Sequence, residues 1–375
     1  MESGATSARV VVGQRQKMKV MVALDESDGS FYALQWSLDN LIDGVSATNE
    51  PSLQESGLVT LVHVQQPFQP SFYPVGPGGA AAFYPPTTLM ESVRKAQAEN
   101  SAAILSRALK MCNEKMIKAE TLILEGDAKD KISQATEQMD VDLLVVGSRG
   151  LGKIKRAFLG SVSDYCAHHA KCPILIVKPP KETASNQREN KSLGMETEEG
   201  AVLMEQKQEQ RQKKKVMVAL DESDTSFYAL KWTLDNLIIK GVSQDSDMVT
   251  LVHVQHSFQT SIVPLGPAGA AALYTPSSIA DSVKKAQQEN SAAIVSRALK
   301  MCDEKMVKAE SLILEGDAKD MICKATEQMQ VDLVVVGSRG LGKIKRALLG
   351  SVSYYCAHHA KCPILIVKPP KEIDK

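Results

Sequence analysis

An α/β architecture of two tandem five-stranded parallel sheets, each doubly wound and Rossmann-like, is the fold this sequence predicts. One observation is a repeat: Val20-Met21-Val22-Ala23-Leu24-Asp25-Glu26-Ser27 recurs as Val216-Met217-Val218-Ala219-Leu220-Asp221-Glu222-Ser223, and self-similarity of this kind marks duplicated structural units. A second is that, inside each copy, short apolar runs alternate with stretches of helical periodicity, the pattern of a parallel sheet with helical crossovers. The third is length, since 375 residues exceed one typical domain and suit two, each able to bury a core.

Taken in order, Val20 to Leu24 is a continuous apolar run and reads as a strand. Ser27 caps a helix whose Phe31, Leu34, Leu38 and Leu41 recur at spacings of three and four. Val59 to Val64 is a second strand, and a loop rich in Pro, Gly and Ala from Pro67 to Pro86 leads to a helix from Thr88 that buries Ile104, Ala108, Met111, Cys112 and Met116. Leu122 to Leu124 is a third strand, and Asp127 opens a helix with Ile132, Ala135 and Met139 on one face. Asp142 to Val146 is a fourth strand, a helix follows Ser161, and Pro173 to Val177 is a fifth strand. In open sheets of this kind a ligand crevice lies at the carboxyl ends of the strands, where the strand order reverses.

The predicted divisions are an N-terminal tail over 1–18, a first domain over 19–178, a linker over 179–214 and a second domain over 215–375. The linker is rich in Glu, Gln, Lys and Asn without sustained periodicity, which predicts a flexible connection. Its composition also allows a weak helix over Met204 to Gln212. The second copy is shorter, the loss falling at Ala47 to Gly57. From Ser101 to Pro180 against Ser291 to Pro370, eleven of eighty positions differ, among them Leu105/Val295, Phe158/Leu348 and Asp164/Tyr354. Such closeness indicates a recent duplication, so agreement between the copies says little about which residues matter.

Hydrophobic residues at 43% and charged residues at 23% are ordinary for a globular chain. Lys plus Arg equals Asp plus Glu at 44 each, so no overall field draws the chain to nucleic acid or an anionic bilayer, and neither is expected as a partner. Seven cysteines with no C-x-x-C pair predict free thiols in a reducing compartment. Met1 to Lys17 has only Val10-Val11-Val12 as an apolar run, so the expected location is cytoplasmic, with the nucleus also open.

The segment Gly147-Ser148-Arg149-Gly150-Leu151-Gly152-Lys153 leaves a predicted strand and runs on to Gly160-Ser161-Val162-Ser163, where a helix begins. Glycines let backbone N–H groups approach an anion, and a helix N-terminus adds unpaired donors. Ser161 and Ser163 could each add a hydroxyl. The first seven residues match G-x-x-x-x-G-K, but a P-loop needs Ser or Thr next to hold Mg²⁺, and Ile154 has no ligand atom.

Counted as G-x-x-G, nine residues, then G-S, the segment repeats at Gly337, Gly340, Gly350 and Ser351. With a first strand ending in Asp25 and a last strand of Pro-Ile-Leu-Ile-Val, it resembles the universal stress protein family, ATP-binding subgroup, over Lys19 to Lys178 and Lys215 to Lys368. The tandem pair and its Pro/Gly-rich loop look most like plant members. The resemblance implies ATP, with Mg²⁺, as ligand. Gly147 and Gly150 would let the backbone meet the ribose and triphosphate, and Gly160, Ser161 and Val162 would bind phosphate. Asp25 would face the adenosine and help hold a metal, and the Val64 backbone would meet adenine. The matching positions are Asp221, Val254, Gly337, Gly340, Gly350, Ser351 and Val352. In the family, copies pair through the last strand, so Pro173 to Val177 and Pro363 to Val367 would join two domains of one chain or two chains of a homodimer.

Each of these residues also has a plainer reading. The glycines could serve turns, Asp25 could act with Ser27 as a helix cap, and Lys153, Lys155 and Arg156 could be a solvated face. His168-His169 and His358-His359 point to different helix faces, which disfavours a metal site. No Ser-His-Asp order or paired carboxylate stands out, so the expectation is a nucleotide-binding stress or signalling protein. Bound nucleotide would change its affinity for a protein partner, and any ATP hydrolysis would be slow. The alternative is a nucleotide-free interaction module.

Overall fold

The computed structural model describes residues 18–42, 59–67, 72–74, 80–82, 87–149, 159–179, 214–237, 248–256, 262–264, 270–272, 277–339 and 349–370. The first copy runs β1 (Val20–Leu24), α1 (Asp28–Asn40), β2 (Val59–Gln65), β3 (Phe72–Pro74), β4 (Ala80–Ala82), α2 (Thr87–Glu114), β5 (Ala119–Glu125), α3 (Ala128–Gln138), β6 (Leu143–Gly147), α4 (Ser161–His169) and β7 (Ile174–Val177). The second repeats it as β8 (Lys215–Leu220), α5 (Asp224–Asn236), β9 (Met248–Gln255), β10 (Ile262–Pro264), β11 (Ala270–Ala272), α6 (Ser277–Glu304), β12 (Ala309–Glu315), α7 (Ala318–Gln328), β13 (Leu333–Gly337), α8 (Ser351–His359) and β14 (Ile364–Val367).

Local chemistry sets the helix starts. Ser27 accepts from the Ser30 N–H at 3.3 Å to cap α1, and Asp127 accepts from the Lys129 N–H at 3.1 Å to cap α3; each cap is worth about 1 kcal/mol. α2 ends at Glu114, and Met116 then takes φ 55° to turn the chain. That turn corrects one expectation: Met116 is 81% exposed, and Ile117, 1% exposed, fills the core position in its place. Met111 packs only partly buried, while Leu105 joins Ile104, Ala108 and Cys112 inside.

Two further differences have physical causes. β5 spans Ala119 to Glu125, longer than the apolar run at its centre, because it is an edge strand whose alternate residues face solvent. The loop after β2 contains an antiparallel pair, β3 with β4, in register Tyr73 with Ala81. Backbone pairing needs no apolar pattern, so composition alone gave no sign of it. The tail before Met18, the segment holding Ala47 to Gly57, and the linker from 180 to 213 with its Met204 to Gln212 stretch lie outside the described residues.

Each domain contributes five strands to a single sheet in the order β12-β9-β8-β13-β14-β7-β6-β1-β2-β5. Within a domain the strands are parallel, β1 pairing with β2 (Val20 with Val59) and with β6 (Val20 with Leu143). Alternation of side chains buries both faces. Val20, Val22 and Leu24 pack with Leu34, Leu38, Ile104 and Leu105 of α1 and α2, and Met21 and Ala23 pack with Ile132, Ala135 and Cys166 of α3 and α4. Among the described residues, no helix is long and apolar enough to cross a membrane.

The two domains meet where β7 and β14 run antiparallel, Leu175 opposite Leu365 and Ile174 opposite Ile366. Both apolar layers continue across this seam. Beside it, α4 and α8 bring together the Asp164/Tyr354 difference between the copies. His168 lies 5.5 Å from the Tyr354 ring, and His358 Nε2 lies 3.6 Å from Asp164 Oδ1. His169 instead stacks on Tyr165, so the adjacent histidines do take different faces. Lys178 donates to the Ala360 carbonyl at the end of α8 at 2.6 Å, and Lys368 donates to Ala170 at the end of α4. Each ammonium thus caps the negative end of the other domain's helix.

Burial pushes both lysines down from 10.5 to about 8. Above that value the folded chain has released protons that the unfolded chain still holds, so folding gains stability as pH rises from about 8 toward 10.5. From pH 9 upward the opposite drift sets in, because burial pushes Cys166, Cys172 and Cys362 up from 9.0 to about 11. The lysine contribution is therefore read between pH 8 and 9. Urea midpoints of the native chain should rise across that window and flatten in a Lys178→Met, Lys368→Met variant; an unchanged slope would show that these lysines keep their ordinary affinity for protons.

Candidate functional site

The strand order places β1 between β6 and β2, so the chain reverses direction across the sheet at β1 and β6. Their carboxyl ends carry Asp25 and Gly147, with Val64 near the end of the neighbouring β2. α4 begins at Ser161 after its N-cap, Gly160. In the second domain the same places are held by Asp221, Gly337, Val254, Gly350, Ser351 and Val352. Gly150 and Gly340, together with the basic cluster Lys153, Lys155 and Arg156, lie outside the described residues.

Asp25 is half-buried and tied into a serine network. Its Oδ1 accepts from the Ser27 N–H at 3.0 Å and from the Ser27 hydroxyl. Ser30 Oγ donates to the Asp25 carbonyl at 3.0 Å and accepts from the Asp25 N–H at 3.2 Å. The side chain is thus locked at the head of α1, with Oδ2 outside the network. The capping role falls to Ser27, with Asp25 orienting it. Asp221, Ser223 and Ser226 repeat the arrangement.

The segment between β6 and α4 is pinned at both ends. Ser148 N–H donates to the Val177 carbonyl and Gly160 N–H to the Ser148 carbonyl, each at 2.8 Å. Ser163 Oγ donates to the Gly147 carbonyl at 2.6 Å, and Ser353 Oγ to Gly337 at 2.9 Å. This corrects one expectation: the Ser163 hydroxyl is committed to the backbone, leaving Ser161, which is exposed, as the hydroxyl at the helix start. No side chain caps α4 or α8, so their first N–H groups, those of Ser161 and Val162 or Ser351 and Val352, are the donors available to an anion.

The absent side chain of Gly147 has a second role that the motif did not reveal. A Cβ there would lie 2.8 Å from the Gly29 carbonyl oxygen and 3.1 Å from Ser30 N. The end of β6 is therefore packed directly on the head of α1. At Gly337 a Cβ would lie 3.0 Å from the Thr225 carbonyl.

The residues that sequence reasoning missed are supports of this rim. Ser30 is part of the Asp25 network, and His63, buried at the end of β2, uses Nδ1 to bond the Leu24 carbonyl at 2.9 Å. His253 does the same with Leu220. A histidine inside an apolar strand carries no motif, so only the strand register exposes it. On the seam side, Ser338, Arg339 and Leu349 share a cavity of about 700 Å³ with His168, Ala170 and Lys368. Among the described residues no group of three or more His, Cys, Asp or Glu could hold a metal.

The model of the Universal stress protein family matches residues 18–178 and again 213–368. A universal stress protein of Mycolicibacterium smegmatis is 26% identical over 354 residues, 93% of this chain and 97% of that protein. The Arabidopsis thaliana Universal stress protein PHOS34 is 30% identical over 172 residues, which span 43% of this chain and 64% of that relative's length. Among solved structures, a universal stress protein of Archaeoglobus fulgidus shares the fold at TM-score 0.53 and 17% identity, covering 93% of this chain and 98% of that one. A universal stress protein family protein of Arabidopsis thaliana, solved with AMP bound, is 27% identical over 43% of this chain and 94% of its own, at TM-score 0.31. With the family pattern filling both halves of the sheet, the chain belongs to the universal stress protein family, as two such domains in tandem.

Proposed function

We propose that each domain binds one adenine nucleotide, ATP, at the carboxyl ends of β1 and β6, and that occupancy alters affinity for a protein partner. The observation that carries this reading is the helix start at the switch point. α4 and α8 open on a glycine with no side-chain cap, beside an aspartate whose carboxylate is held by Ser27 and whose backbone is held by Ser30. Uncapped N–H donors suit phosphate. Asp25 or Asp221, through Oδ2, would meet a ribose hydroxyl or a phosphate-bound Mg²⁺, and the backbone at Val64 or Val254 would meet the base. Bound nucleotide supplies negative charge there; the chain's own residues position it.

In this reading the protein is a sensor, with hydrolysis slow at most. Occupancy can shift partner affinity only through contacts that differ between states. The cavity joining Ser338 and Arg339 to the first domain's His168 supports the seam as the place where a change at the second site reaches the first domain. Seven free thiols support a reducing compartment such as the cytoplasm.

The test is to purify the chain without added nucleotide, denature it and identify released small molecules by mass spectrometry. ATP near one per domain is expected, and its loss in a Gly160→Val, Gly350→Val variant that retains native circular dichroism. No release and no binding on titration with Mg-ATP would overturn the reading. It would favour the nucleotide-free module instead, for which the packing of Gly147 on α1 already gives the glycine a purely structural use.

A further inference from the structure

We propose that Cys323 and Cys356 are a redox modification site, forming a reversible intrachain disulfide that ties α7 to α8 in the second domain when the protein meets a hydroperoxide. The two Sγ atoms lie 3.8 Å apart, already in contact and about 1.7 Å from bonding distance. The first domain shows that the fold itself aims these side chains at each other. There the same two positions hold Ser133 and Cys166, with Oγ and Sγ 3.7 Å apart. Only the second copy has sulfur at both, so the site is one of the few points at which the near-identical copies differ chemically.

The surroundings divide the labour between the thiols. Cys356 is wholly buried, whereas Cys323 retains 8% of its surface. The hydrogen bond shared with Cys356, with help from the Lys178 ammonium of the other domain, holds the Cys323 thiol below its ordinary value, while Cys356 is pushed up. Cys323 is therefore the attacking sulfur, since the thiolate is the nucleophile. Its thiolate attacks the peroxide, breaking the O–O bond; sulfur is oxidised to the sulfenic acid, and the second oxygen leaves, with a proton, as water or alcohol. The Cys356 sulfur then attacks the sulfenic sulfur. The S–S bond forms, the S–OH bond breaks, and hydroxide takes the Cys356 proton to leave as water. Two thiols and one hydroperoxide thus give one disulfide, one water and one molecule of the peroxide's reduced product. A thiol reductant reverses it by exchange.

The experiment treats the reduced full-length chain with a small excess of hydrogen peroxide, alkylates the remaining thiols under denaturing conditions and digests with trypsin. Peptides 320–324 and 347–361 carry one cysteine each, Cys323 and Cys356. We expect them joined, two hydrogens lighter than their sum, within a chain that stays monomeric in size under denaturing, non-reducing conditions, and separated by dithiothreitol. Cys323→Ser, which copies Ser133 and so keeps a side chain this fold already accommodates, should abolish the link. Adding Ser133→Cys to that variant should move it to Cys166. Full alkylation of both thiols in the treated native chain, a stable oxygen adduct at Cys323 without a link, or a link between chains would each overturn the proposal.

Discussion

Replacing Gly147 with alanine is expected to destabilise the first domain by about 3 kcal/mol, near the upper end of overpacking costs, and to lower its thermal midpoint by roughly 10 °C. The added methyl would stand 2.8 Å from the Gly29 carbonyl oxygen and 2.9 Å from its carbon. Both are backbone atoms at the head of α1 and cannot swing aside as a flexible side chain would. Relief requires α1 to move, and α1 carries Ser27 and Ser30, which hold Asp25. The variant should therefore lose both stability and rim geometry. Gly337→Ala, where the nearest contacts are 3.0 Å, should cost the second domain somewhat less. Trp36 and Trp232, one per domain, allow each transition to be followed separately by fluorescence in chains carrying a Trp→Phe change at the other. Unaltered stability in Gly147→Ala would mean that the glycine serves only a ligand.

Leu175→Ala is the second large effect, expected to cost about 3 kcal/mol from lost burial and the cavity left behind. Leu175 is 1% exposed and sits opposite Leu365 in the β7–β14 pair. Because the apolar layer runs unbroken through that pair, the loss should appear in the unfolding of both domains. Leu61→Ala, equally buried but in β2 on the far side of β1, should cost a similar amount and shift the first domain alone. Equal, one-domain responses from both variants would show that the seam contributes no coupling. Leu175 and Leu365 are direct neighbours, so the double variant is not expected to be additive.

The seam is also where the two copies have ceased to be interchangeable. By the same contacts, a symmetric pair of first domains would set Asp164 against the other copy's His168, and a symmetric pair of second domains Tyr354 against the other copy's His358. Here Asp164 faces His358, and His168 faces Tyr354. The mixed pairing is the arrangement that one chain provides with both of its own domains.

The order of the main-sheet strands and of the helices, the duplication and the position of the β6–α4 segment were legible in the sequence, because each rests on local rules; the small β3–β4 and β10–β11 pairs were not. Continuous apolar runs mark strands buried on both faces, three-and-four spacing marks helices, and Gly or Ser or Asp marks their ends. Asp25, Gly160 and Ser161 could be singled out for the same reason, as could their counterparts Asp221, Gly350 and Ser351. What only the tertiary structure decided depends on atoms far apart in the chain. The Gly147 approach to Gly29, the use of the Ser163 hydroxyl on the Gly147 carbonyl, the burial of His63, the reach of Lys178 to Ala360 and the meeting of Cys323 with Cys356 leave no periodicity behind. They follow from register and packing, where a partner is chosen by proximity in space, and no residue's own propensity encodes that choice.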